Sequence, residues 1–230
     1  MCGRFALGIP KKQLAEALEV QVPENYDPRL NVAPGQEIHT LANMGGKRCW
    51  STRWWGLVPH RAEEKKAGYT MINIRAETLF DKPSFGESVQ HGRCLVPAQA
   101  FYEWQRLGHG KQPYAVGLLD NEVFCMAALS ASWQDAKTGE VVDSVAILTC
   151  EANAVMSPLH ERMPVIVPHE KWDQWLDPEN IWPETLRDML VPYQGNDMRA
   201  WLVSYAVNDP GHESEDLLDS ISVLRQGRLL

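Results

Sequence analysis

The chain has no apolar run approaching the roughly 20 residues of a membrane-crossing helix. It does not open on a charged segment followed by an apolar stretch, so no secretory signal is read. Its cysteines, at positions 2, 49, 94, 125 and 150, are odd in number and contain no C-x-x-C pair. That pattern fits neither a disulfide framework nor a zinc site, and points to a reducing, intracellular compartment, the cytoplasm if the source is bacterial. The G-x-S-x-G elbow, H-E-x-x-H, the EF-hand loop and G-x-G-x-x-G are all missing. Gly45-Gly46-Lys47 does not complete a phosphate loop, because position 41 is Leu and Arg48 follows the lysine. Neither an internal repeat nor a low-complexity linker occurs, so one domain without metal or cofactor is expected.

What is present is ordinary globular material, 44% hydrophobic and 23% charged over 230 residues. The net charge of −8, spread evenly, would argue against a phosphate-backbone partner. It is not spread evenly. Residues 169–230 hold 12 acids against 5 bases, whereas residues 41–111 hold 11 bases against 6 acids. A basic surface is therefore available upstream of an acidic C-terminal quarter. Nine tryptophans supply core packing or, where exposed, surfaces on which bases stack.

Lys11 to Val20 carries Leu14, Ala17 and Leu18 at helical spacing. Two strand-like runs flank Gly45-Gly46, a hairpin signal. Strands are expected over Met71–Ile74, Arg93–Trp104, Pro113–Leu119, Val123–Ala131, Val145–Cys150 and Met163–Val167, and helices over Ala152–Leu159, Pro168–Leu176 and Pro183–Leu190. An acidic solvated loop, about 208–219, precedes a final short strand. Without regular β-α-β alternation, this order predicts an α+β domain: a curved, mostly antiparallel sheet or barrel flanked by short helices.

Three places carry chemistry. If Met1 is removed, Cys2 in Met1-Cys2-Gly3-Arg4-Phe5 becomes a 1,2-aminothiol. Its α-amine, with an ordinary pKa near 7.7–8.0, is free enough at neutral pH to condense with an aldehyde, and the adjacent thiol can then close a thiazolidine ring. Arg4 would favour the thiolate or hold an anionic substrate. A small, buried structural cysteine is the competing reading. In Ile72-Asn73-Ile74-Arg75-Ala76-Glu77, strand alternation sends Asn73, Arg75 and Glu77 to one face, either as a recognition surface or as a half-exposed strand with an internal Arg–Glu pair. Glu103, at the end of an apolar strand between aromatics, and His160, two residues before Arg162, suit general acid–base work. Structural hydrogen bonding is the alternative for both.

Met1-Cys2-Gly3-Arg4-Phe5, Asn31-Val32-Ala33-Pro34, Trp55-Gly56-Leu57-Val58-Pro59, Asn73-Ile74-Arg75-Ala76-Glu77-Thr78, Arg93-Cys94-Leu95-Val96-Pro97, Phe101-Tyr102-Glu103-Trp104 and His160-Glu161-Arg162-Met163-Pro164 together resemble the SRAP domain. The match runs in order from residue 2 to about 205. The resemblance implies one domain over 2–230 that senses abasic sites in single-stranded DNA during the DNA damage (SOS) response. It further implies a covalent thiazolidine crosslink that shields the site from cleavage; a monomer with no membrane partner is the expectation. In that reading Cys2 is the double nucleophile and Glu103 the general acid–base. His160 bonds the sugar, Asn73 positions Cys2 or the sugar, Arg4, Arg75 and Arg162 hold phosphates, and Trp104 lies in the DNA-binding surface. The chain departs from the family pattern at His60-Arg61, where Ser-Trp is common, at Gly86, where Arg is common, and at Ile74, where Ala is usual. A thiol-dependent peptidase, perhaps one cleaving its own N-terminus, and a non-covalent binder of single-stranded or modified DNA are the alternatives.

Overall fold

The computed structural model describes residues 2–108, 110–119 and 122–222. The first glycine hairpin forms as expected, β3 (Glu37–Met44) pairing antiparallel with β4 (Lys47–Trp55). Gly45 and Gly46 both adopt positive φ, 63° and 82°, which only glycine does cheaply and which matches the twist of the flanking strands. β4 then runs parallel to β10 (Val141–Glu151), which pairs antiparallel with β9 (Phe124–Gln134). β9 pairs with β6 (Arg93–Ala98), and β6 returns to β3. The order β10-β4-β3-β6-β9 thus closes on itself as a five-stranded barrel, and closure leaves no sheet edge among these strands. Leu41, Trp55, Leu95, Met126 and Ile147 of these strands are all buried in one core.

The second sheet has the order β13 (Met198–Leu202), β8 (Gly110–Leu118), β7 (Ala100–Leu107), β1 (Phe5–Leu7) and β2 (Arg29–Val32). Three short strands extend the barrel wall: β5 (Asn73–Arg75), β11 (Arg162–Pro164) and β12 (Ile166–Val167). Only β10 with β4 and with β5 pair in parallel among the described strands, so the expected α+β architecture with a curved, mostly antiparallel core holds. Around it lie α1 (Lys11–Leu18), α2 (Gly86–His91), α3 (Trp172–Leu176) and α4 (Pro183–Arg187). The buried Arg93 side chain holds α3 to the barrel, donating to the carbonyls of Trp175, Val89 and Asp177 at the adjoining helix ends.

Three expectations change. Arg93–Trp104 is not one strand: it breaks at Gln99, whose amide donates to Ala6 O at 2.8 Å, so β6 lies in the barrel and β7 in the second sheet. Ala152–Leu159 is a run of turns rather than a helix. The Asn153 side chain accepts from the amides of Val155 and Met156 at 3.1 and 3.0 Å as an N-cap would, but Pro158 has no amide to continue the ladder and the turns end at Leu159. The acidic 208–219 loop is exposed along most of its length but anchored, with Val207 and Leu217 buried at its two ends. The closing strand expected after it falls largely on residues 223–230, outside the described residues, as does Met1.

Candidate active site at the seam of the two sheets

Cys2 and Glu103 meet because their strands are neighbours. β1 pairs antiparallel with β7 through Phe5 opposite Phe101, and Tyr102 donates its amide to Arg4 O at 2.9 Å. Continuing the register back along the chain brings Cys2 beside the Glu103 segment. Cys2 is fully buried and Glu103 is 5% exposed. Burial, and then the negative Glu103, push the Cys2 thiol up to about 12, against which the Arg4 backbone hydrogen bond acts only weakly. The expectation that Arg4 favours the thiolate is therefore corrected. Its guanidinium turns away to donate to Asn31 Oδ1 and Val207 O, both at 2.7 Å, and lies 5.9 Å from the Trp104 ring.

Asn73 arrives from the other sheet. β5 is carried on β10, with Asn73 opposite Ile147 and Arg75 opposite Thr149. Asn73 Nδ2 donates to Cys2 O at 2.8 Å, tying the N-terminal segment to the barrel wall. The Trp55-Gly56-Leu57 motif fixes the approach to this strand: Trp55 Nε1 donates to Ile72 O at 3.0 Å and Leu57 N to Met71 O at 2.9 Å. Ile74, where the family pattern has Ala, points into the core, so that departure does not touch the seam.

Glu77 leaves the face predicted for it. β5 stops at Arg75, and residues Ala76–Thr78 form a 3-10 turn. Glu77 therefore pairs not with Arg75 but with Arg162, in a two-pronged bridge of 2.7 and 2.9 Å. Arg162 Nη2 also donates to Thr149 O at 2.6 Å and Thr149 Oγ1 at 3.2 Å. The buried Arg162 thus braces β5, β10 and β11 together. Its backbone amide donates to His160 Nδ1 at 2.9 Å, so in the neutral ring the proton sits on Nε2 and is free to be donated outward. His160 and Trp104 line opposite sides of a cleft of about 370 Å³, with Gln105, Arg106 and Pro158.

The predicted residues therefore divide. Cys2, Glu103 and Asn73 converge at the seam, and His160 and Trp104 flank the neighbouring cleft. Arg75 is exposed at the edge of β5, whereas Arg4 and Arg162 are buried and engaged by protein acceptors. Asn31, Thr149 and Asn208 escape sequence reasoning as individual residues. Asn31 is fully buried and donates to Asp209 O and His212 O at 2.8 and 2.9 Å, locking the C-terminal loop over Arg4. Asn208 Oδ1 accepts from Trp104 Nε1 at 2.7 Å. Five buried side-chain polar atoms lack a partner among the described residues, and three of them, Arg4 Nε, Asn73 Oδ1 and Arg162 Nε, belong to this constellation. Of these, Asn73 Oδ1 belongs to the side chain that reaches Cys2, and an orphaned buried polar atom there suits a polar ligand or water.

Known proteins share this framework. The family described as SOS response associated peptidase (SRAP) matches residues 1–210. The abasic site processing protein YoqW of Bacillus subtilis is 40% identical over 224 residues, covering 96% of this chain and 100% of its own. The abasic site processing protein YedK of Escherichia coli is 29% identical over 185 residues, 78% of this chain and 81% of its own. A solved structure from Bacteroides thetaiotaomicron superposes with a TM-score of 0.86 at 23% identity, covering 96% of this chain and 100% of that one, and so shares the fold. With its motifs in place around one seam and its sequence matched from residue 1 to 210, this chain belongs to the SRAP family.

Proposed function

We propose that this protein captures abasic sites in single-stranded DNA by a covalent thiazolidine at Cys2, in a reducing intracellular setting. The observation that carries the reading is the convergence of Cys2, Asn73 and Glu103 at the seam, with unpartnered Asn73 Oδ1 among them. The names of the relatives as abasic site processing proteins support it. Removal of Met1 leaves an α-amine on Cys2. The amine adds to C1′ of the ring-opened deoxyribose, and Glu103 supplies the proton with which the C1′ hydroxyl departs as water, leaving an imine. The Cys2 sulfur then bonds to C1′ and the thiol proton passes to the nitrogen, closing the ring. One water is lost per crosslink. Closure removes the imine that would otherwise promote β-elimination, so the strand stays intact.

His160 Nε2–H is placed to donate to the sugar, Arg75 to a flanking phosphate and Trp104 to a base. Arg4 and Arg162 act as holders of the Cys2 segment and of His160. With Arg75 the exposed one of these three arginines, log K should fall with log salt at a slope of about −0.7, rather than the roughly −2 that three phosphate contacts would give on single strands.

The test is a denaturing gel with single-stranded DNA carrying one abasic site, together with intact-mass measurement. Expected are loss of Met1 and an adduct of protein plus DNA minus one water, absent in Cys2→Ala. An equal yield of adduct from Cys2→Ala overturns the mechanism. Tight, salt-sensitive binding with no adduct would show a non-covalent binder. The family's description as a peptidase, with Cys2, Glu103 and His160 in the chain, motivates a thiol peptidase as second reading. Sustained thiol-dependent peptide cleavage, unaffected by abasic DNA, would establish it.

A further inference from the structure

Part of the acidity of the C-terminal quarter gathers around a cavity that abasic-site capture does not use. The cavity measures about 790 Å³, within the range of ligand pockets, and shares no lining residue with the cleft beside Trp104 and His160. Its floor is apolar and buried, with Phe124 from β9, Val167 from β12, Trp172 from α3 and Met189 from the turn after α4. That floor is preformed. Trp172 Nε1 donates to Val167 O at 2.8 Å, and Val167 pairs with Cys125 of β9. The wall that carries Tyr193 and Asp197 is held as well, because Tyr193 O accepts from Asn153 Nδ2 at 2.9 Å and Asp197 O accepts from Leu119 N at 2.6 Å.

Carboxylates from four places in the chain surround this floor: Glu122, Glu170, Asp188 and Asp197. Asp197 accepts from the Tyr193 hydroxyl at 3.1 and 3.2 Å, but none of the four forms an ion pair with another described residue. Lys171 is the one lysine or arginine in the lining. Burial, the Asp197 hydrogen bond and the negative fields of Asp197, Glu170 and Glu122 push the Tyr193 hydroxyl up to about 12, so three of the carboxylates act on one point. Such a rim favours a cation and repels phosphate, which rules out DNA or an anionic lipid surface as the occupant. A single metal ion does not suit it either, because among the described residues no three carboxylate, His or Cys side chains come close enough to hold one. The apolar surface also runs past the cavity. Val191 on its rim is 47% exposed, and Leu119, next to the lining Leu118, is 45% exposed. The occupant is then larger than the cavity, apolar at its centre and positive around it.

We propose that this cavity is the docking site for a segment of a partner protein in which an apolar anchor is flanked by lysine or arginine. The anchor would lie on Phe124, Val167, Trp172 and Met189, while the flanking cations reach the four carboxylates. An apolar centre inside a charged rim is the anatomy of a protein–protein interface, and the charge complement selects the partner. None of the residues proposed to hold the DNA strand lines the cavity, so a partner seated there leaves them free. The inference goes beyond abasic-site capture and does not depend on it.

The experiment uses the full-length protein and a fluorescein-labelled synthetic peptide of lysine and leucine, with leucine at i, i+3, i+4 and i+7, read by anisotropy. Two reference peptides carry serine in place of leucine or glutamate in place of lysine, and spermidine serves as a small competing polycation. The lysine-leucine peptide is expected to bind about tenfold or more tightly than either reference. Glu170→Gln with Asp188→Asn should weaken it about tenfold, whereas the charge-matched pair Glu63→Gln with Glu215→Gln, outside the cavity, should leave it unchanged. Val191→Ser should weaken the lysine-leucine peptide and not the lysine-serine one. Thermal denaturation of these variants should match the wild type, because every replaced side chain is exposed. Equal losses in the rim and control pairs, equal affinity for the serine reference, displacement by spermidine at the peptide's own concentration, or no binding of the lysine-leucine peptide each overturns the proposal.

Discussion

Replacing Glu77 by Gln removes the charge from a pair that the fold uses as a brace, and the structure sets the size of the effect. Glu77 accepts two hydrogen bonds from Arg162, whose side chain is only 9% exposed. Hydrogen bonds to charged groups contribute about 1.5–3 kcal/mol each. The Glu77 side chain is 43% exposed, so solvent screens much of that. Arg162 also keeps both Thr149 hydrogen bonds, and the glutamine amide still accepts one bond. The expected cost at pH 7 is about 1–2 kcal/mol, or a fall of about 2–8 °C in Tm for a chain of this size. The pH dependence has a definite sign. Burial opposes ionisation of Glu77, but the Arg162 hydrogen bonds and charge, with Arg75, outweigh it and hold the carboxyl below its usual range. A carboxylate depressed in the folded state stabilises above its unfolded pKa, and that contribution is lost as pH falls through the folded value. Wild type and Glu77→Gln should therefore differ at pH 7 and converge as the pH drops below about 4. Urea unfolding followed by tryptophan fluorescence at pH 7, 5 and 3.5 measures the gap. A gap independent of pH, or none at pH 7, refutes the brace.

Asn31→Ala removes an acceptor from buried Arg4 and two donors from the C-terminal loop, so a loss of about 2–4 kcal/mol is expected, with faster proteolysis within residues 208–216. Limited proteolysis followed by mass spectrometry reads it. Gly68→Ala forces a methyl into the Gly56 backbone and should cost about 1–3 kcal/mol in thermal unfolding while lowering adduct yield, since the same loop leads to Asn73. Arg93→Lys cannot reach three separate carbonyls with one ammonium, and a loss of about 2–3 kcal/mol in urea unfolding is expected, with the site chemistry intact.

The sequence was most legible where period and turn chemistry act locally. The Gly45-Gly46 hairpin, the helix at Leu14 and Leu18, and most strands of the barrel follow from neighbours along the chain. The switch of sheets at Gln99 was invisible, because both β6 and the start of β7 are buried on both faces and show no alternation to interrupt. β1, β2 and β13 are short, and their partners lie far away in sequence. For the site, residue types and order suggested the groups that the seam brings together, but not the partners that occupy them. Nothing near Arg162 in sequence announces Glu77, 85 positions away, and nothing near Arg4 announces Val207.

That redistribution of arginines bears on how the protein would discriminate its target. Of the three arginines assigned to phosphates, only Arg75 is exposed; the other two have committed most of their donors to the fold. The acids of residues 169–230 give that part of the chain a charge that repels a phosphate backbone. Each arginine withdrawn from a phosphate lowers the single-strand salt slope by about 0.7, so equilibrium binding to intact DNA should be weak at physiological salt. Weak binding is the useful arrangement for a covalent trap. Under the proposed mechanism, intact strands offer no aldehyde and would dissociate, whereas an abasic site that dwells long enough for the Cys2 amine to reach C1′ would be removed from the equilibrium by ring closure. Selectivity would then reside in the chemistry at the seam. Strengthening the hold on phosphate, for instance by Gly86→Arg, should raise affinity for intact and abasic strands alike and narrow the ratio between them. Competition of unlabelled intact strand against adduct formation measures that ratio, and a wider ratio in Gly86→Arg would refute the argument.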